Sequence, residues 1–372
     1  MTWIPGDISL SETLTENDHL YETHINQLRE SNPPAATVGR TTNCQYYCDG
    51  TADDIQIQAA ITALSSGGVL HLKQGTYSIS AVIALANNII IEGEGIGVTI
   101  IQQATGINGD VFAGSTKSNF QIRDLSIDGN KANNPTGDNG ISLTDCTDFT
   151  IEKVSSYNNT LKGFVTGGAC ADGSFIRCEG YSNTQDGIGI ASPTTASGTY
   201  CDRISIIDGY FHDNTQYGIG LLTPSTGYSR VKNPLVLGNR CVSNGTYGIS
   251  VVAADGARII GNLIESSGHM GIDLGSMTYQ TEQNTINSLI EGNIIKNCTG
   301  VTRAGINLQN GDYNRIIGNK CFDDQTPKTQ SWGFRYNNGT YNIIALNDFT
   351  GNLTASTTGT PTATNIYALN QE

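Results

Sequence analysis

A glycine followed by a large apolar residue recurs along this chain, and it constrains the fold more than any other feature. Successive glycines are separated by 23, 24, 31, 30, 23, 34 and 28 residues. A period that varies above a fixed floor is typical of a coil of constant circumference that carries loops of different lengths. Propellers and α-helical solenoids have longer or helical repeats. The pairs are Gly140-Ile141, Gly163-Phe164, Gly187-Ile188, Gly218-Ile219, Gly248-Ile249, Gly271-Ile272, Gly305-Ile306 and Gly333-Phe334.

Two sets of asparagines keep the same phase as the glycines. The first set stands four residues before a glycine, with Ser267 in the fifth place, and the second set ends predicted strands. Amide side chains in register from coil to coil can form hydrogen-bonded ladders. The three marks together predict an all-β fold, a right-handed parallel β-helix. The two sets are Asn159, Asn183, Asn214 and Asn244, and Asn239, Asn262, Asn293, Asn319 and Asn347.

Alternation within each repeat separates the core from the surface. In the pattern Gly-Ile-x-Leu the apolar residues point inward and x points outward, because successive side chains of a strand face opposite sides. Two rows of side chains are therefore expected along the solenoid. The outward row is Ser142, Val165, Gly189, Gly220, Ser250, Asp273, Asn307 and Arg335. The corner row, directly before the glycines, is Asn139, Lys162, Asp186, Tyr217, Tyr247, Met270, Ala304 and Trp332.

Charge and cysteine content limit the partners. The formal net charge is −14, which disfavours nucleic acid and anionic membranes, and also acidic polysaccharides unless a metal bridges the like charges. No apolar run reaches the ~20 residues of a membrane span, and the N-terminus lacks the pattern of a signal peptide. The nine cysteines are expected to be mainly free thiols, with Cys44 and Cys48 the candidate disulfide.

The segment before the repeats predicts a capping helix. Thr51, Asp53 and Asp54 begin it, an apolar face follows, and Gly67-Gly68 end it. The run 49–77, DGTADDIQIQAAITALSSGGVLHLKQGTY, resembles the opening of the pectate-lyase-like β-helix superfamily. That resemblance implies the same solenoid over residues 45–350, in a superfamily that contains lyases, hydrolases, epimerases and non-catalytic binders. The predicted organisation is an adaptor segment at 1–38, the β-helix at 39–350 and a C-terminal tail or cap at 351–372.

The first 38 residues resemble a second group of proteins. The opening WIPGD and the helical pattern HINQLRES are similar to short N-terminal segments of bacteriophage tail proteins. Joined to a β-helix, this resemblance implies a tailspike-type protein, in a virion or extracellular, that assembles as a homotrimer and binds a cell-surface polysaccharide.

Acidic and aromatic side chains of the middle coils are the candidate site. Asp186 with Asp213 is the first candidate acid/base pair, and His269 with Asp273 is the reserve pair. A bare wall at Gly189 and Gly220 leaves room for a glycan, and aromatic faces can hold sugar rings. The alternative interpretation of each single aspartate is an ordinary turn residue. The alternative interpretation of the two tyrosines is a stack that only stabilises the fold. The expected substrate-binding residues are Tyr217, Tyr247, Arg230, Arg335 and Trp332.

Three functions fit these features. The first is a tailspike-type depolymerase that hydrolyses a surface glycan, and the second is a non-catalytic carbohydrate-binding fibre. The third is a uronan lyase or C5-epimerase; against it, Asp273 is not followed by the Pro-His-Glu that the superfamily's alginate enzymes carry. No cofactor is required. The loop from Asp128 to Asp138 has oxygen ligands suited to calcium, with an ordinary turn as the alternative.

Overall fold

The chain folds as a parallel β-solenoid. A computed structural model describes residues 34–192, 199–222, 230–275, 284–299 and 303–372. Strands of successive coils pair in parallel in two sheets. The short sheet contains Ile83–Ala84, Phe112–Ser115, Ile141–Thr144, Phe164–Gly167, Ile188–Ala191, Ile219–Leu222, Ile249–Val251, Ile272–Leu274, Ala304–Leu308, Trp332–Tyr336 and Ala355–Thr358.

The long sheet covers the remaining faces of each coil in two runs. The first run contains Ala35–Gly39, Tyr46–Tyr47, Gly68–Leu72, Ile89–Glu92, Ser118–Asp128, Thr147–Tyr157, Ala171–Ile176, Asp202–Ile207, Val231–Lys232, Leu235–Leu237, Ala254–Asp255, Arg258–Ile260, Thr285–Ile286, Leu289–Glu291, Gly311–Asp312, Arg315–Ile317, Ile343–Ala345 and Ile366–Ala368. The second adds Gly75–Ile79, Thr99–Gln103, Glu179–Tyr181, Tyr210–His212, Arg240–Val242, Leu263–Glu265, Ile294–Lys296 and Lys320–Phe322, and also takes the ends of two long strands from the first.

The predicted alternation is confirmed in the short sheet. Ile188, Ile219, Ile249 and Ile272 pair in register from coil to coil, and each is fully buried. Their stack forms the centre of the core. Because the strand period is two, this inward stack places the residue after each isoleucine on the outer surface.

Asparagine ladders hold the corners, as the sequence predicts. Asn159 donates its Nδ2 to Asn183 Oδ1 at 2.7 Å, and the same bond repeats from Asn183 to Asn214 and from Asn214 to Asn244. The second predicted set forms a ladder through Asn239, Asn262, Asn293, Asn319 and Asn347, and it continues to Asn370. A third ladder, which sequence reasoning missed, links Ser288, Asn314, Asn342 and Asn365. Since each amide satisfies its neighbour, these buried polar groups fix the register of the coils.

A short helix lies close to the predicted position, between strands Tyr46–Tyr47 and Gly68–Leu72. It runs Asp54–Ala63 and buries Ile57, Ala60 and Ile61 against the first strands. Buried Asp53 accepts hydrogen bonds from the backbone N–H of Gly50 and of Ser78, and so ties the helix start to a strand. The function of this helix as an end cap stays a prediction.

The two predicted end segments differ in how much of them can be described. Residues 1–33, which include the expected adaptor helix, lie outside the described residues. Strand Ala35–Gly39 pairs with Gly68–Leu72 of the long sheet. At the other end, Ala355–Thr358 and Ile366–Ala368 continue the two sheets for one further coil.

The cysteines are free thiols, and eight of the nine are buried. Cys44 and Cys48, the candidate disulfide, are both free in the structure. Cys241 and Cys321 are fully buried inside the solenoid, as expected for small core residues. None of the helices in the described residues is long and apolar enough to cross a membrane.

Candidate functional site

The outward row of the short sheet forms the floor of the candidate site. Backbone pairing aligns Gly189 with Gly220, Ser250, Asp273 and, in the next coil, Asn307. Although this row faces away from the core, Ser250 and Asn307 are fully buried and Asp273 is 4% exposed. Neighbouring side chains therefore cover the middle of the row. We name the aligned residues Gly189, Gly220, Ser250, Asp273 and Asn307 the groove floor.

Asp273 is the central ionisable group of the groove floor. Asn307, one coil further on, donates its Nδ2 to Asp273 Oδ1 at 2.6 Å. Burial raises the pKa of Asp273 to about 7, against the opposing effects of the Asn307 hydrogen bond and the positive charge of Arg335. The carboxyl group can therefore gain or lose a proton near neutral pH, which is the property that general acid–base catalysis requires.

Two tyrosines from the corner row lie beside this carboxyl group. The rings of Tyr217 and Tyr247 stack with centroids 5.4 Å apart and planes 4° from parallel. Burial, with the negative charge of Asp273 as the next cause, raises the pKa of Tyr247 to about 12. Both hydroxyl groups therefore stay protonated at neutral pH and can donate. Because the rings cover each other, the sides that face one another are closed to a sugar ring.

His269 and Arg303 extend the cluster from the same corner. The ring of Tyr247 meets His269 edge to face at 5.9 Å, and Arg303 Nη2 lies 3.2 Å from His269 Nε2. Burial, with the charge of Arg303 as the second cause, lowers the pKa of His269. An arginine always donates, so Nε2 accepts and the imidazole is neutral. The predicted reserve pair, His269 and Asp273, thus lies in one cluster with Tyr247.

Asp186, the first predicted acid, lies earlier along the same corner row. Its side chain is fully buried and forms an ion pair with Lys162 from the preceding coil. Tyr217 donates its backbone N–H to Asp186 Oδ1 at 3.3 Å. Burial raises the pKa of Asp186, and the Lys162 charge opposes that rise. A methyl group at Gly189 would lie 3.0 Å from Lys162 Cδ, so the bare wall predicted at this glycine is covered by the lysine stem.

Asp213, the predicted partner of Asp186, points to another face. It follows strand Tyr210–His212 of the long sheet, its side chain is 60% exposed, and its Oδ2 lies 2.7 Å from His212 Nδ1. His212 in turn stacks on Tyr181 at 4.9 Å. The chain turns an asparagine-ladder corner between Asp213 and the next glycine, which separates this carboxylate from the groove floor.

The three other predicted binding residues are also dispersed. Arg335 belongs to the outward row next to Asn307, and its charge acts on Asp273 and Tyr247. Trp332 is half-buried at the start of the same strand. Arg230 precedes strand Val231–Lys232 of the long sheet, where its Nε donates to the carbonyl of Asn284 at 2.9 Å.

Several contributors were not singled out from the sequence. Arg303 stands two residues before its corner glycine, and His269 occupies the same position in the preceding coil. This equivalence in the sequence could have identified Arg303 as a site residue. Lys162 and Asn307 were assigned to the two rows without a role. The site as described has positive groups at Lys162, Arg303 and Arg335, and two buried carboxyl groups, Asp186 and Asp273.

Parts of this chain are similar in sequence to known proteins. A family model described as periplasmic copper-binding protein (NosD) matches residues 224–368. A segment of 141 residues is 35% identical to mannuronan C5-epimerase AlgE6 of Azotobacter vinelandii; it covers 33% of this chain and 14% of that protein. The chain therefore matches only a small part of the length of this curated relative.

Solved structures are similar over far more of the chain. The A-module of the Azotobacter vinelandii epimerase AlgE6 aligns with a TM-score of 0.67 at 17% identity, over 87% of this chain and 97% of the module. The Dettilon tailspike protein aligns with a TM-score of 0.69 at 12% identity, over 90% of this chain and 68% of that chain. At these identities the structural similarity establishes the β-solenoid fold.

Proposed function

We propose that this chain is an enzyme that acts on an acidic polysaccharide by moving the proton on the carbon next to a uronate carboxylate. The observation that carries the proposal is the position of Asp273. This nearly buried carboxyl group belongs to the outward row of the short sheet, where the charge of Arg335 acts on it and its own charge acts on Tyr217 and Tyr247. A sequence relative named as a mannuronan C5-epimerase supports the same class of substrate and reaction.

The charges of the groove suit such a substrate. The whole chain is strongly negative, yet the groove floor brings Arg335 next to Asn307, and Arg303 lies beside His269. A proton next to a carboxylate is weakly acidic, because its removal places a second negative charge on the same group. Positive side chains and hydrogen-bond donors that face the carboxylate stabilise that charge as it develops.

Each residue of the cluster has its own role in this reaction. Asp273, with a pKa near neutrality, acts in its carboxylate form: it takes the proton from the sugar carbon, the C–H bond breaks, and Asp273 becomes protonated. Tyr247, protonated at neutral pH, donates a proton either to the opposite face of that carbon or to the leaving glycosidic oxygen. The first outcome inverts the sugar centre, as in an epimerase, and the second breaks the chain, as in a lyase. Arg303 and Arg335 hold the uronate carboxylate.

A hydrolase of the tailspike type is the second candidate. Two buried carboxyl groups, Asp186 and Asp273, have raised pKa values on one groove, and Tyr217 lies between them. They stand three coils apart, about 14 Å along the axis, whereas hydrolysis requires carboxyl groups separated by about 5–9.5 Å. The other carboxyl pair that a hydrolase could use is the predicted pair, Asp186 and Asp213. Asp213, however, lies on the long-sheet side. The geometry therefore favours proton transfer beside a uronate.

One experiment separates the readings. The purified chain is incubated with a polyuronate and, separately, with neutral polysaccharides, and products are followed by proton NMR, by ultraviolet absorbance and by reducing ends. Inverted uronate centres without cleavage identify an epimerase, and a new conjugated double bond identifies a lyase. New reducing ends without absorbance on a neutral glycan identify a hydrolase and overturn the proposal. Binding without any product identifies a carbohydrate-binding fibre and overturns it as well.

The predicted tailspike assembly is a separate proposal. We infer an extracellular or virion protein that binds a cell-surface polysaccharide as a homotrimer, supported by the N-terminal resemblance and by the tailspike fold neighbour. Light scattering on the full chain should then give three times the chain mass of 39.5 kDa. A mass of one chain at micromolar concentration would contradict the trimer and leave the groove chemistry unaffected.

A further inference from the structure

Three buried oxygen atoms without a hydrogen-bond partner belong to the loop 129–138 and to Asn159, which lies against Gly129. They are Asn134 Oδ1, Asp138 Oδ2 and Asn159 Oδ1. All three side chains are fully buried. Native proteins pair nearly all buried polar atoms, so three orphaned acceptors on neighbouring segments of the chain require a partner. All three are oxygens, so the partner has to be a donor or a cation.

Hydrogen bonds and one close contact connect the three residues. The backbone N–H of Thr160 donates to the other Asp138 oxygen at 2.6 Å, and the Thr160 hydroxyl lies 2.7 Å from the carbonyl oxygen of Asn134. Thr160 directly follows Asn159 in the chain. The carbonyl oxygen of Gly129 accepts from Asn134 Nδ2 at 3.2 Å, and a methyl group at Gly129 would lie 2.5 Å from Asn159 Oδ1.

The amide orientations are fixed by their own bonds. Asn159 is the first member of the first asparagine ladder, and its Nδ2 donates to Asn183 Oδ1. Asn183 uses its own Nδ2 for Asn214, so the direction of donation cannot be reversed at one position alone. In the preceding coil Asn130 donates its backbone N–H to Asp128 at 2.9 Å instead of continuing the ladder. The ladder therefore ends on a free oxygen.

The electrostatic surroundings of Asp138 favour a positive partner. The side chain of Asp138 is fully buried. Within the described part of the chain, no lysine or arginine is paired with the free Asp138 oxygen. A buried carboxylate without a counter-ion is costly, and a bound cation would remove that cost.

We propose that Asn134, Asp138 and Asn159 form part of a calcium-binding site. Calcium takes six to eight oxygen ligands, including carboxylates, amide oxygens, backbone carbonyls and water, in flexible geometry. The oxygen-only set does not suit zinc or copper, and the described residues contain no group of three His, Cys, Asp or Glu side chains that could hold a metal. Asp138 lies two residues before the corner glycine Gly140, five coils from Asp273, which is about 24 Å along the axis. The site is therefore separate from the groove and has a structural role.

Thermal unfolding tests the proposal with two matched variants. Asp138→Asn keeps the shape of the side chain and removes its charge, whereas Asp148→Asn removes one charge at an exposed position in the next coil. Parent and variants, first stripped with EDTA, are compared with and without calcium chloride. Calcium should raise the Tm of the parent and of Asp148→Asn by about 3 °C or more, and that of Asp138→Asn far less. Without calcium, Asp138→Asn should be at least as stable as the parent, because it no longer buries an unpaired charge.

Calorimetry supplies the direct measurement. Titration of calcium chloride into the stripped parent should show one site, which Asn134→Ala weakens at least tenfold and Asp138→Asn abolishes. Magnesium at the same concentration should bind more weakly, since it requires a small octahedral cage. No heat and no Tm shift in the parent would assign the orphaned oxygens to a buried water and overturn the proposal. An equal shift in parent and Asp138→Asn would place the ion elsewhere and overturn it too.

Discussion

Asp273→Asn should lower turnover on the polysaccharide substrate by about 10²–10⁴-fold and leave binding nearly unchanged. The amide keeps the size of the side chain and its place next to Asn307, but it cannot exchange a proton, and proton transfer by a positioned side chain contributes a factor of this size. The measurement is kcat and KM on the substrate identified by product analysis, with affinity electrophoresis for binding. The matched control is Asp148→Asn, an exposed aspartate outside the groove.

The pH dependence of the same variant gives an independent check. With a pKa near 7 for Asp273, the parent should show a transition in kcat/KM around neutral pH that Asp273→Asn lacks. The stability of the fold also depends on this pKa. Burial raises this pKa above that of the unfolded chain, so the parent loses stability relative to Asp273→Asn as pH rises from about 4 towards 7. Full activity in Asp273→Asn, with activity lost in Asp186→Asn, would move the chemistry to the hydrolase arrangement.

Ile219→Asp should destabilise the fold by several kcal/mol, enough to prevent accumulation of folded protein at 37 °C. Ile219 is fully buried in the inward stack between Ile188 and Ile249, and an unpaired carboxylate there has no water and no partner. Urea unfolding followed by circular dichroism, together with soluble yield, measures the effect. Ile219→Val, which removes one methyl group, should cost only about 0.5–1.5 kcal/mol.

Ser142→Asp is the matched control for this core variant. Ser142 lies in the outward row of the same sheet and is half-buried, so a carboxylate at this position keeps its contact with water. We expect a change within about 0.5 kcal/mol. If Ile219→Asp and Ser142→Asp unfold at the same urea concentration, the assignment of inner and outer faces is wrong by one residue.

Local repetition made the fold predictable. Each coil repeats the same sequence pattern: a glycine at a corner, an alternating strand and an asparagine. A coil with an irregular pattern can therefore be assigned from its neighbours. The outward row from Ser142 to Arg335 and two of the three ladders are confirmed in register. The third ladder was not predicted because it begins with a serine, Ser288, and contains only three asparagines.

The site was less predictable, because contacts between coils do not follow from position within a coil. The sequence placed Asp273 in the outward row, but only the folded chain brings Asn307 onto its carboxyl group and buries both. It placed Asp186 in the corner row, but not the ion pair with Lys162 that covers the bare wall at Gly189. It also proposed Asp213 as a partner from spacing alone, whereas the ladder corner turns that side chain towards His212.

The sequence by itself determined the solenoid, because hydrophobic alternation and corner residues act within one coil and every coil repeats them. Only the tertiary structure decided which polar groups are buried together, since burial depends on how side chains of different lengths from three or four successive coils fill the same outer surface. That filling sets the pKa of Asp273 near neutrality and leaves the oxygens of Asn134, Asp138 and Asn159 without partners. Desolvation of this kind is a property of the assembled surface and has no periodic signal in the sequence.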